Sequence, residues 1–140
     1  MSVSDDDSLR DLFDVDRIAV VGCSSTPGKA AHEVPAYLQR QGYEIVPVNP
    51  FADEILGETA VDSLAEVEGE IDLVDVFRPS EEVAGIVDET IDRKAAAGDV
   101  EAIWLQLGIT DAEATAKAEA EGLTVVADRC LKIEHQRLLE

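Results

Sequence analysis

The stretch Arg17-Ile18-Ala19-Val20-Val21-Gly22-Cys23-Ser24-Ser25-Thr26-Pro27-Gly28-Lys29 decides the fold. Four apolar residues, Ile18 to Val21, run without a break and stop at Gly22. A loop of small residues follows, Lys29 closes it, and helical spacing begins at once. A continuous apolar run suits a parallel strand covered on both faces. A buried strand, a small-residue turn and a helix start together aim backbone N–H groups at a phosphate.

The same grammar repeats outward from this unit. The apolar pattern predicts strands at Arg17–Val21, Glu44–Val48, Asp72–Phe77, about Ala102–Gln106 and Leu123–Ala127. Helices are expected at about Ala31–Gln41, Glu81–Ala97, Asp111–Glu121 and Leu131–Leu139, with a short one around Leu9, Leu12 and Phe13. Pro35 is placed near the first turn of its helix, where a missing N–H costs little. Ser63 and Ser80 are read as N-caps, and residues 1–8 as a frayed tail. The resulting β-α alternation predicts an α/β, Rossmann-like, doubly wound parallel sheet of five strands in a three-layer αβα sandwich. Residues 1–16 form a tail and short helix, and residues 17–140 one domain. The expected strand order is 3-2-1-4-5, which puts a ligand outside the carboxyl ends of the strands, near the switch between strands one and four.

The chemistry at those ends points to an anion. Gly22 and Gly28 resemble the dinucleotide fingerprint, but Ser24 stands where its second glycine belongs. No Gly-Lys-Ser/Thr follows, so the turn is not a P-loop. Lys29 and Arg78 are candidate phosphate partners. A solvent lysine, and an ion pair of Arg78 with Glu81 or Glu82, are the plainer readings. Asn49-Pro50 ends strand two, where a nicotinamide site carries Asp or Glu for the ribose, so a dehydrogenase is disfavoured. Cys130 and His135 are five residues apart and do not share a helix face, so His135 reads as structural and Cys130 as a cleft-lining residue. Asp75 interrupts an apolar strand and is expected to meet a hydrogen-bond donor.

Composition sets the boundaries. The chain has 31 acidic and 11 basic residues, a net charge of −20, and a hydrophobic fraction of 46%. That charge repels nucleic acid and anionic membranes. Residues 1–7 do not form a signal peptide and no apolar run reaches membrane length, so a cytoplasmic protein is expected. Two cysteines supply neither a disulfide framework nor metal-ligand spacing. Acidic residues spread through every segment match the solvation strategy of salt-adapted proteins.

Five motifs in order carry a family resemblance. They are Val20-Val21-Gly22-Cys23-Ser24, the run from Gly42 to Pro50 (GYEIVPVNP), Asp75-Val76-Phe77-Arg78, Trp104-Leu105-Gln106-Leu107-Gly108, and the run from Asp128 to His135 (DRCLKIEH). Together they resemble the small stand-alone CoA-binding proteins, single-domain relatives of the CoA-binding domain in succinyl-CoA synthetase alpha subunits. The resemblance implies coenzyme A or an acyl-CoA at the carboxyl edge of the sheet. It places Gly22, Ser24, Ser25, Thr26 and Lys29 around the phosphates and makes Cys23, in the same turn, a further cofactor-binding residue. Asn49, Pro50, Phe77 and Arg78 would line the nucleotide portion, with Gln106, Arg129 and Cys130 towards the rest of the cleft. The synthetase carries its phosphorylated histidine in another domain, so binding without catalysis is expected. The alternatives are an acyl-CoA-dependent or thiol-dependent enzyme using Cys130, and a regulatory partner of a larger acyl-CoA enzyme. A homodimer is a further expectation.

The charge pattern makes one prediction. The melting temperature should rise between dilute buffer and molar KCl, because salt screens the repulsion among carboxylates. A melting temperature unchanged across that range contradicts the salt-adapted reading.

Overall fold

A computed structural model describes residues 3–139. Five parallel strands form the sheet: β1 (Arg17–Val21), β2 (Glu44–Val48), β5 (Leu73–Val76), β6 (Ala102–Leu105) and β7 (Thr124–Val126). Two-residue strands β3 (Glu54–Ile55) and β4 (Glu58–Thr59) make a separate small hairpin. Helices α1 (Asp6–Asp11), α2 (Ala30–Arg40) and α5 (Leu131–Leu139) cover one face of the sheet. Helices α3 (Val83–Ala97) and α4 (Ala112–Ala120) cover the other.

The alternation of side chains along each strand divides the core in two. Ile18, Val20, Ile45, Leu73 and Trp104 point to the α1/α2/α5 face, while Ala19, Val21, Val46, Val74 and Ile103 point to the α3/α4 face. Four consecutive residues of β1 are buried, as a strand with helices on both sides requires. The Rossmann-like αβα architecture is as the sequence predicts.

The strand order is not. The sheet runs β2-β1-β5-β6-β7, so the third long strand lies beside β1 and β2 is an edge. Counted over the long strands this is 2-1-3-4-5, and the switch point falls between strands one and three. Pro47 is the residue that decides it. Its ring nitrogen has no hydrogen to give a second full strand, and proline in a sheet belongs at an edge. On that outer side the Pro47 carbonyl accepts only the Val61 N–H, at 3.0 Å, through a single-residue bridge.

Other local expectations are also corrected. The segment read as a tail is ordered from Val3, whose N–H donates to the Val125 carbonyl at 2.7 Å. Asp5 then caps α1 through the Ser8 N–H, at 3.0 Å. Met1 and Ser2, like Glu140 at the far end of the predicted domain, lie outside the described residues. Ser63 precedes a short 3-10 turn, Leu64–Glu66, and Ser80 begins another, Ser80–Glu82, but neither side chain caps. The Ser80 hydroxyl instead accepts the Thr110 N–H at 3.0 Å. Asp111 does cap α4, through the Ala114 N–H.

Pro35 sits in the second turn of α2, not the first. It cannot donate to the carbonyl four residues earlier, that of Ala31. That carbonyl accepts the Ser24 N–H instead, at 3.0 Å. The proline therefore frees an acceptor that ties the loop after β1 to the first turns of α2.

Two buried charges behave in opposite ways. Arg93 donates to the carbonyls of Leu64, Val67 and Gly69 and pairs with Asp99 at 2.9 Å, which fixes the 63–69 segment under the sheet edge. Burial alone would raise Asp99, but hydrogen bonds from Arg93 and the Ile71 N–H hold it below the usual carboxylate range. Asp75 is fully buried, and neither carboxylate oxygen has a hydrogen-bonding partner among the described residues, contrary to expectation. Burial pushes it well above the ordinary aspartate value, and the nearby Val76 N–H offsets only part of this.

An acid raised in the folded state favours folding only where the unfolded acid is also protonated, so stability falls as pH rises above about 4. Asp75→Asn should therefore raise the melting temperature at pH 7, with a gain that shrinks on acidification towards pH 4; a loss at pH 7 would contradict the assignment. Pro35→Ala should return the Ala31 carbonyl to the helix. The Ser24 amide should then exchange its hydrogen about tenfold faster, the loss expected for one hydrogen bond. Unchanged exchange at Ser24 would mean that the proline does not set the loop.

Candidate functional site

The carboxyl ends of β1, β2 and β5 open into a cleft of about 610 Å³, within the range of small-molecule sites. It is built at the switch point, where the loops after β1 and its two neighbours separate.

The first wall is the turn after β1. Gly22 takes φ +85, and its N–H donates to the Val48 carbonyl at 3.0 Å. A side chain cannot be added there: a Cβ would fall 2.7 Å from Cδ of Arg78 and 3.1 Å from the Phe77 carbonyl oxygen. Cys23 is buried, and burial pushes its thiol up to about 12, so it stays protonated at neutral pH. Ser24 and Ser25 line the cleft, as does Lys29, the residue that precedes α2. The Ser24 hydroxyl accepts the Thr26 N–H at 3.0 Å, and Glu33 reaches back to the Gly28 N–H at 3.3 Å. The positive end of the 11-residue helix α2 thus faces the cleft behind Lys29.

The second wall follows β2. Asn49 clamps the two loops together: its Nδ2 donates to the Cys23 carbonyl at 2.9 Å and its Oδ1 accepts the Phe51 N–H at 2.8 Å. The amide expected to read a ligand is therefore largely committed to the loops, with one Nδ2 hydrogen beyond these bonds. Beside Pro50 the ring of Phe51 is 95% exposed on the rim.

The third wall follows β5. Phe77 and Arg78 both line the cleft. Arg78 makes the ion pair that the sequence offered as its plainer reading, two parallel bonds to Glu82 of 3.1 and 2.8 Å. Ile86 and Glu89 of α3, together with Asp62 and Leu64, complete the lining on that side.

Gly22, Cys23, Ser24, Ser25, Lys29, Asn49, Pro50, Phe77 and Arg78 are thus brought together around one cleft. Thr26, Gln106, Arg129 and Cys130 do not line it. Thr26 is exposed in the loop, and the other three belong to a separate structural junction. There the Leu131 N–H donates to Gln106 Oε1 (3.2 Å), the Trp104 ring N–H to the Arg129 carbonyl (2.8 Å), and the Gly108 N–H to Asp128 Oδ1 (2.7 Å). Arg129 pairs with the buried carboxylate of Glu134. His135 is buried against the Tyr37 hydroxyl, 2.6 Å from its Nδ1, in keeping with a structural role. These bonds lock the end of β6 to the start of α5, which gives the last two motifs a structural reason.

Sequence reasoning did not select Phe51 or Glu82. An aromatic directly after a strand-ending Asn-Pro was a legible signal for the first. Glu82 entered only as a partner for Arg78, and its place in the cleft needs the turn Ser80–Glu82, which the helical pattern hid.

Known proteins match this architecture. A protein from Pyrococcus horikoshii OT3, described as hypothetical, superposes with a TM-score of 0.90 at 34% identity, covering 98% of this chain and 94% of its own. The uncharacterized protein YneT of Bacillus subtilis is 44% identical over 119 residues, 85% of this chain and 84% of that protein. An acetate–CoA ligase (ADP-forming) of Archaeoglobus fulgidus is 35% identical over 83 residues, 58% of this chain but only 12% of that enzyme. The chain thus spans a small part of the ligases it resembles. The family model for the CoA binding domain matches residues 16–136, nearly all of the domain built above, and the chain belongs to that family.

Proposed function

We propose that this protein binds coenzyme A or an acyl-CoA in the cleft at the carboxyl ends of β1, β2 and β5, without a reaction of its own. The observation that carries the reading is the turn from Gly22 to Lys29. It is a turn of small residues whose Ser24 and Ser25 line the cleft, followed by Lys29 and the N-terminal end of α2, and the cleft is large enough for a nucleotide. Family membership and the ligases' CoA chemistry support the choice of CoA over another nucleotide.

In this reading Lys29 and the α2 terminus hold the pyrophosphate, and the Ser24 and Ser25 side chains add polar contacts. Phe51 offers a flat apolar face at the rim, suited to stacking a base. Arg78 takes a further phosphoryl oxygen pair through its planar fork. The thiol nearest these groups, Cys23, is protonated and buried, and Cys130 is buried outside the cleft. Both observations favour binding over thiol chemistry.

Calorimetric titration at molar KCl tests the assignment. Wild type should bind CoA in preference to NAD. Lys29→Ala should weaken CoA about tenfold, the loss of one charge-assisted contact. Phe51→Ala should weaken CoA at least several-fold yet leave inorganic pyrophosphate unaffected, because only the base is stacked. Equal affinity of wild type and Lys29→Ala for CoA would remove the turn from the site.

A further inference from the structure

We propose that Glu82 is a resident competitor for the ligand: in the free protein its carboxylate occupies the edge of Arg78 that the ligand's phosphoryl group must take, so binding is an exchange of one anion for another. The inference rests on the reading of the cleft as a phosphate-bearing ligand's site and adds a residue that sets its selectivity.

Three observations lead to it. The first is where Arg78 lies. Its stem crosses directly over Gly22, close enough that a Cβ there would meet Cδ at 2.7 Å and Cγ at 3.2 Å. The stem of Arg78 therefore passes against the turn, and the residue lines the cleft. The second is how it is occupied. Nε and Nη2, the two donors of one edge, meet the two oxygens of Glu82 at 3.1 and 2.8 Å. That fork-to-fork geometry is the one by which arginine also grips two oxygens of a phosphoryl group, so a phosphoryl group that takes this edge must displace the carboxylate. The third is that Glu82 can leave. It ends the 3-10 turn Ser80–Glu82, and its side chain is 44% exposed, so it swings into water without unpacking the core.

The exchange has a consequence for selectivity. An exposed pair of this kind is weak and is readily displaced by a doubly charged, two-oxygen ligand. Chloride and simple carboxylates carry no such advantage over the resident carboxylate. Asp62 and Glu89 also line the cleft, so a pairing that neutralises Arg78 in the free state leaves that wall negative until a stronger anion arrives. Glu82 thereby acts as a filter in favour of phosphoryl groups.

A double-mutant cycle read by calorimetry tests this, with CoA and inorganic pyrophosphate as separate probes at constant ionic strength. Glu82→Gln keeps the shape and removes the charge. It should bind both probes about three- to fivefold more tightly than wild type, the worth of one exposed ion pair. The gain should vanish when Arg78→Ala is already present, because the competitor then has nothing to hold. Glu89→Gln, which removes a cleft charge not bonded to Arg78, should give a smaller gain. Weaker binding by Glu82→Gln would make Glu82 a positioning residue for Arg78 and overturn the proposal. A gain that survives Arg78→Ala would reduce it to general repulsion and overturn it equally. Failure of every protein to bind CoA, with the Arg78-dependent gain retained for pyrophosphate, would sink the CoA reading and leave the exchange standing. No binding of either probe by any variant would overturn both.

Discussion

The arrangement depends on an absent side chain at Gly22. Two segments converge on this residue, the end of β2 and the stretch after β5. The end of β2 accepts its N–H through the Val48 carbonyl, the Phe77 N–H donates to the neighbouring Val21 carbonyl, and the stem of Arg78 lies across its Cα. Any Cβ would collide with the Phe77 carbonyl and the Arg78 stem, and φ +85 would strain it further. β1 can therefore have β2 on one side and β5 on the other, with both loops diverging at its tip. That divergence is the cleft. The constraint that seats β1 between β2 and β5 also opens the small-residue turn that leads into α2.

Around this point several polar groups tie loops together. Asn49 joins the loops after β1 and β2. The carbonyl freed by Pro35 holds Ser24. Gln106, Trp104 and Asp128 join the ends of β6 and β7 to α5. Arg93, nearly buried, gathers three carbonyls and Asp99 and so fixes the segment that carries Leu64 under the cleft. Removing one member of such a buried pair costs about 3–5 kcal/mol. Rigid loops limit the conformational entropy lost on binding, so they favour a binding site held open in advance. Asp75 is the exception, a buried acid whose neutralisation, not a partner, makes its burial tolerable.

Charge shapes the same site. A chain of net charge −20 that receives an anion must concentrate its few cations, and Lys29 and Arg78 stand on two of the three loops around the cleft. Acidic groups remain close by at Asp62, Glu82 and Glu89. The cleft thus sets two cations among three carboxylates within a negative surface.

By itself the sequence determined the elements and the class of fold. Short apolar runs bounded by turn residues suit strands covered on both faces, and their alternation with amphipathic helices points to a parallel sheet as the way to bury both. It also determined the small-residue turn between β1 and α2, because a small-residue stretch between strand and helix is local chemistry. Tertiary structure decided what depends on residues distant in the chain. The position of β5 beside β1 was visible only faintly, in the edge-strand signature of Pro47. The division of the motifs into cleft residues and junction residues was not visible at all. Gln106, Arg129 and Cys130 sit at strand ends like Gly22 and Asn49, yet they belong to β6, β7 and α5, away from the switch point. Whether a strand end lines the cleft depends on which strands are neighbours, and that is settled by packing across the whole sheet rather than by any local pattern.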